Sequence, residues 1–262
     1  MRLVEGNVKL PHSLNWYDPF MATFVLVHGA WQTAGTWDLL SVLLRGRGHR
    51  VITPFLSGLD TGLGAHPTPL SPAVSLSQHI EDIVTVVSHS TAPVVLVGHS
   101  YAGMIISGVA ERVAGQIDSL VYVDAFLPED GQSVLDLLPA AVAAHLRQSA
   151  RDHGDGWLLP GGAGELDFWG LAPGPARDFA QAHLSDFSLR CFEEPVRLPH
   201  NRKAQLPCRY VSCVARNYPA KGVFLPFAEK ARANARRVLD LDCGHACHIE
   251  LPAELAAFLA AP

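Results

Sequence analysis

The chain lacks any apolar run of the roughly 18 to 20 residues that a membrane-spanning helix needs, and it lacks any block of lysine and arginine. The first absence excludes a helical membrane span. The second, with a formal net charge of -5, argues against nucleic acid or an anionic membrane as partner. Cysteine is sparse: Cys191, Cys208, Cys213, Cys243 and Cys247 form an odd, uneven set unlike a disulfide framework. The first twenty residues hold no apolar stretch of signal-peptide form, so a soluble, cytoplasmic protein is expected. No repeat of 20–50 residues is visible, which removes solenoids and propellers. Neither a Walker A string nor a G-x-G-x-x-G fingerprint stands where a nucleotide would need it, so no cofactor is expected. What remains is a globular chain of 262 residues, 48% hydrophobic and 17% charged, ample for one large core.

Short β-branched runs recur along it: residues 22–29, 49–56, 93–100, 118–125, 208–215 and 236–242. They are continuous rather than alternating, as strands buried on both faces of a parallel sheet must be. Between them lie helical stretches. Residues 75–89 place Leu76, Ile80, Ile83, Val84 and Val87 on one face at helical spacing, and 101–114, 226–235 and 253–260 read as further helices. The pattern predicts an α/β fold: a mostly parallel sheet of about six strands, with helices on both faces and right-handed crossovers. Residues 126–205 break it, with many prolines and glycines and two helices over about 132–152 and 174–185. So long a connection reads as a cap inserted between the fourth and fifth strands, over the carboxyl ends where such sheets bind ligands. The expected organisation is an N-terminal extension over 1–20, a core over 21–125 and 206–262, and the cap over 126–205.

The stretch "VVLVGHSYAG", residues 94–103, ends a buried strand on a serine between small residues. Strand, G-x-S-x-small, helix is the nucleophile-elbow arrangement. The turn strains the serine and lifts its hydroxyl above the sheet, so Gly98 and Ala102 must be small; Ala102, rather than glycine, fills the second place, with Gly103 next. The following helix aims its N-terminus at Ser100. A nucleophile needs donors for the oxyanion, and "VLVHGAW" (25–31) supplies a tight His-Gly turn that directs the N–H of Ala30 to the same point as that of Tyr101. His28 is then a structural residue of this loop. The same string could be a polar strand end, but the strand, the helix and the second motif together favour the catalytic reading.

On these residues, with "IDSLVYVDAFLPEDG" (117–131), the chain resembles the α/β-hydrolase superfamily, and within it the plant methylesterase and hydroxynitrile lyase branch with its bacterial esterase relatives. The resemblance covers about residues 22–130 and 205–262. It implies oxyanion donors at Ala30 and Tyr101, and a base at the Gly-His pair after the last strand, which is Gly244-His245. His248 is the alternative base. In the methylesterase branch an aspartate follows the strand matching 208–215, yet here the loop reads "ARNYPAKG" with no carboxylate. Some superfamily members carry the acid one strand earlier, where this chain has Asp124. A triad Ser100, Asp124, His245 keeps the chain order nucleophile, acid, base. Asp242 or Asp240 beside His245, or no acid at all, remain alternatives.

"CGHACH" (243–248) also echoes haem-attachment and zinc spacings. Four ligands within six residues rarely close a tetrahedron, so no metal is expected. The cap aromatics, Trp157, Phe168 and Trp169 among them, with Trp31 from the core, are candidates for an apolar substrate pocket. The expected activity is a cofactor-free serine esterase acting on a small-molecule ester with a small or medium apolar or aromatic body. Two alternatives stand beside it: a hydroxynitrile-type lyase, for which Lys221 lies out of register, and a non-catalytic small-molecule binder. A homo-oligomer is neither required nor excluded.

Overall fold

The computed structural model describes residues 21–59, 68–216, 218–234 and 236–261; the expected extension over 1–20 and Asn217 lie outside them. Strands β1 (Thr23–Val27), β2 (Arg50–Ile52), β3 (Val94–His99) and β4 (Ile117–Val123) alternate with helices α1 (Asp38–Arg45), α2 (Leu76–Ser88) and α3 (Ala102–Val113). After β4 come α4 (Val134–Leu137), α5 (Ala140–His153), β5 (Leu158–Leu159), α6 (Ala163–Phe168), α7 (Pro175–Ala182), β6 (Phe187–Ser188) and α8 (Arg190–Glu193). The chain then returns with β7 (Cys208–Cys213), α9 (Lys221–Ala233), β8 (Arg237–Leu241), α10 (Cys247–Glu250) and α11 (Pro252–Ala260).

Six strands form one parallel sheet in the order β2-β1-β3-β4-β7-β8. The apolar runs explain that order. β1 and β3 are buried at every residue and β4 at all but one, so they take the centre; β2 and β8 are partly exposed and form the edges. β2 is only three residues long, shorter than its apolar run, because Pro54 removes a ladder donor just beyond it. Helix α1 packs with α11, and α2 with α3. The apolar stripe Leu76, Ile80, Ile83, Val84 and Val87 of α2 faces inward as its spacing requires.

Between β4 and β7 the long connection builds five helices and one antiparallel pair, Leu158↔Ser188 and Leu159↔Phe187. The helix expected over about 132–152 is divided at Leu138-Pro139: a residue before proline is pushed to the extended region, and Leu138 has ψ 151°. α9 starts at Lys221 and carries Pro226 inside it, five residues before the expected start at that proline. Among the described residues no helix is long and apolar enough to cross a membrane.

One carboxylate fastens this connection to the core. Glu111, near the end of α3, accepts the backbone N–H of His200 at 2.8 Å and that of Arg202 at 3.0 Å, and its side chain is 7% exposed. Burial raises its carboxyl, but those donors outweigh burial and hold it below the usual range. Glu111→Ala is expected to lower the unfolding free energy by about 1–3 kcal/mol in urea titrations near pH 7. A carboxyl with a depressed folded pKa stabilises above its unfolded pKa and loses that effect as pH falls. The gap between variant and wild type should therefore close below about pH 4.

Candidate active site

Ser100 follows β3 with φ 57°, a left-handed conformation that a residue with a β-carbon adopts only at a price of about 1–3 kcal/mol. The surroundings enforce it. Ser100 N–H donates to Val123 O at 3.1 Å, and Ser100 O accepts Gly103 N–H at 3.0 Å and Phe126 N–H at 3.2 Å. The small neighbours are needed for close approach. A β-carbon on Gly98 would lie 2.8 Å from Ala102 O, and one on Gly103 only 2.1 Å from Phe126 O. The place of the second glycine is thus explained: position 103, not 102, meets the chain leaving β4.

The loop after β1 lies against this turn, with Gly29 so close that a β-carbon there would meet Ser100 Cβ at 2.9 Å. Gly29 N–H donates to Gln32 Oε1 at 3.0 Å, which folds the loop back on itself. Ala30 and Tyr101 both line the cavity, and neither backbone N–H donates to a backbone carbonyl among the described residues. Two free donors thus flank Ser100. Trp31, at φ 59°, ties the same loop to the connection above. Its Nε1 donates to Leu159 O at 3.1 Å, its carbonyl accepts Ser185 N–H at 2.9 Å, and Gln32 bridges Leu184.

His245 arrives from the other side, on the loop after β8. Its N–H donates to Trp169 O at 2.8 Å, and Gly244 passes so near that a β-carbon would be 2.4 Å from the same oxygen. The imidazole is stacked on Phe224 (centroids 4.4 Å apart, 18° between planes) and packs on His99 at 4.5 Å. Its Nδ1 lies 2.7 Å from Asp124 Oδ2, and both side chains are buried. Burial lowers the pKa of His245 to about 3, which favours the neutral ring. Asp124 is raised to about 7 by burial, opposed by donors from Tyr218 and Cys213. No hydrogen bond joins Ser100 Oγ to His245 among the described residues, although both line one cavity; such bonds commonly tighten only with substrate bound.

That cavity has a volume of about 500 Å³. Trp31, Phe126, Phe168, Trp169, Phe192 and Phe224 give it aromatic walls, and Val142, His145 and Leu146 of α5 face them. A serine at a strained strand-helix turn, two unused amide donors, and a buried histidine-carboxylate pair meet under an apolar pocket at the carboxyl ends of a parallel sheet. A model of the alpha/beta hydrolase family matches residues 24–258.

The chain belongs to the alpha/beta hydrolase family.

Its relatives include the carbendazim hydrolyzing esterase of Nocardioides sp. (strain SG-4G), 34% identical over 254 residues covering 92% of this chain and 99% of that protein. Methylesterase 2 of Arabidopsis thaliana is 35% identical over 112 residues, 42% of this chain and 41% of that one. Among solved structures, an extracellular alpha/beta-hydrolase from a Paenibacillus species, described as homologous to tobacco salicylic acid binding protein 2, shares the fold. Its TM-score is 0.76 at 24% identity, covering 91% of this chain and 97% of that one.

The remaining candidates of this hydrolase separate cleanly. His248 is fully buried between Trp37 and His99 and does not reach the cavity. Asp240 pairs with Arg232 at the surface, and Asp242 is exposed. Trp31, Phe168 and Trp169 line the cavity, but Trp157 does not. Trp157 sits in the turn after α5, next to Asp155 and Gly156 at positive φ, where its carbonyl accepts Leu189 N–H; the wall is built instead by Leu159 and Pro160 just beyond. Lys221 donates to Val214 O at 2.8 Å and is absent from the cavity wall. Cys213 and Cys243 approach to 3.9 Å behind Asp124, and among the described residues no cluster is arranged to hold a metal. Sequence reasoning missed Tyr218, whose hydroxyl donates to Asp124 Oδ2 and lies 3.3 Å from His245 Nδ1. No spacing rule marks it, since a loop tyrosine carries no periodic signal.

Proposed function

We propose that the protein is a serine esterase, cleaving a carboxylic ester of a small or medium apolar or aromatic molecule through an acyl-enzyme. The observation that carries this reading is the buried Asp124–His245 bond at 2.7 Å, facing the same cavity as Ser100 at its strained turn. An esterase relative that spans nearly the whole chain agrees with it.

With Nδ1–H held by Asp124, the His245 Nε2 lone pair takes the Ser100 proton as Oγ bonds to the ester carbonyl carbon. The carbonyl oxygen becomes an oxyanion, received by the N–H groups of Ala30 and Tyr101. The carbon–alkoxy bond then breaks, and His245 passes its proton to the departing alcohol. Water, deprotonated by His245, attacks the acyl-enzyme and releases the acid. The aromatic walls hold the apolar body of the substrate and exclude other water from the reacting carbon.

The test pairs intact-mass labelling by a fluorophosphonate with a panel of 4-nitrophenyl esters of increasing acyl length. One adduct per chain, and turnover that peaks at short to medium acyl groups without added metal, is the expected result. Folded protein that takes no adduct and cleaves no ester would end this reading.

A further inference from the structure

Resting on that reading, we infer that Tyr218 is a positioning residue of the catalytic pair: its phenol keeps Asp124 ionised and holds the proton of His245 on Nδ1. The hydroxyl touches both partners, donating to Asp124 Oδ2 and lying 3.3 Å from His245 Nδ1. The ring runs parallel to the imidazole, with 17° between planes and centroids 6.1 Å apart, and the side chain is buried.

A buried carboxylate needs donors, and Asp124 has three. Oδ1 accepts the N–H of Cys213 at 3.2 Å, while Oδ2 accepts His245 Nδ1–H and the Tyr218 hydroxyl. Tyr218 has one proton to give, and giving it to the carboxylate turns its oxygen lone pair toward Nδ1. Nδ1–H therefore meets acceptors on both Asp124 and Tyr218. The opposite tautomer, with the proton on Nε2, would leave a bare Nδ1 facing two oxygens and a base unable to take the serine proton. Burial, with the nearby Asp124 charge, pushes the phenol far above its usual pKa, so it remains a donor throughout the working range.

The consequence is a pH signature. A donor to the charged carboxylate lowers the proton affinity of the pair. Without it, the pair protonates at higher pH, and a protonated pair has no lone pair free for Ser100. The titratable groups packed around the Asp124–His245 pair are Tyr218, Cys213 and Tyr210 of β7, Cys243 and Cys247 beyond β8, and, on the His245 side, His99 at the end of β3 and His248. Tyr218→Phe keeps the stacked ring and leaves all the others in place.

The experiment follows the rate of fluorophosphonate labelling against pH for wild type and Tyr218→Phe, which needs no knowledge of the substrate. The acid limb is expected to move up by about one unit, a tenfold loss at any pH below it, with the plateau approached again at high pH. In parallel, the downfield proton resonance of His245 Nδ1–H should shift or broaden in the variant. If Tyr218→Phe fails to fold, a fluorinated tyrosine at 218, a stronger donor, should move the limb the other way. A lowered rate with the limb and the resonance unmoved would make Tyr218 a packing residue only and overturn the inference. Wild type that takes no label at any pH would instead overturn the nucleophile reading beneath it.

Discussion

Ser100→Ala is expected to lower kcat/KM for any ester the protein cleaves by at least about 10⁴-fold, and to abolish fluorophosphonate labelling. Loss of a serine nucleophile costs on the order of 10⁶ in kcat in well-studied hydrolases, because the remaining binding groups cannot act as a unit without it. The residual rate would come from the amide donors at Ala30 and Tyr101 acting on an ester attacked directly by water. Folding should be untouched, since alanine carries the same β-carbon at the same φ of 57°. Ser100→Gly makes the complementary case. Glycine relieves the left-handed strain, so this variant should be equally inactive yet melt a few degrees higher in a thermal scan. Substantial turnover in either variant would mean that another residue is the nucleophile.

Asp124→Asn is expected to lower kcat by about 10³–10⁴-fold with little change in KM. The loss follows from the donors around the carboxylate. An amide offers one acceptor and one donor group where Asp124 accepts from Cys213 N–H, Tyr218 O–H and His245 Nδ1–H. With its oxygen toward the histidine, the amide NH₂ faces the Cys213 N–H, leaving two buried donors opposed. Turned the other way, the NH₂ faces His245 and drives the proton to Nε2, the tautomer that cannot accept from Ser100. Both arrangements leave a buried donor unsatisfied, so stability should fall by about 1–3 kcal/mol as well. Steady-state kinetics beside urea titration checks both effects. An Asp124→Asn variant with a near-normal rate would show that the histidine needs no acid.

The strands were legible because parallel strands buried on both faces leave continuous apolar runs; β1 and β3 fall inside theirs, and β4 starts one residue before its own. Ser100 and the Ala30 loop were legible because close backbone approach demands glycine at fixed offsets, a signal that survives in one sequence. Asp124 became a candidate only through the resemblance, which allows the acid after either strand; β4 ends on a carboxylate and the loop after β7 has none. What filled that empty loop was not legible. Tyr218 acts through a hydroxyl whose direction depends on the path of the loop, not on any spacing. The pocket is similar. Phe168 and Trp169 face the cavity while Trp157 turns away, a difference set by one tight turn after α5.

Trp31 carries a mechanical consequence. Its indole and its carbonyl are both fastened to the connection above the sheet, while the residue before it, Ala30, is the proposed oxyanion donor. Roof and reaction centre therefore share a hinge pin. Warming or mild denaturant that loosens the roof at Leu159 or Ser185 would slacken the loop holding Ala30 while the six strands stayed paired. Activity is then expected to fall before the sheet unfolds, so that this joint and not the core would bound the working range.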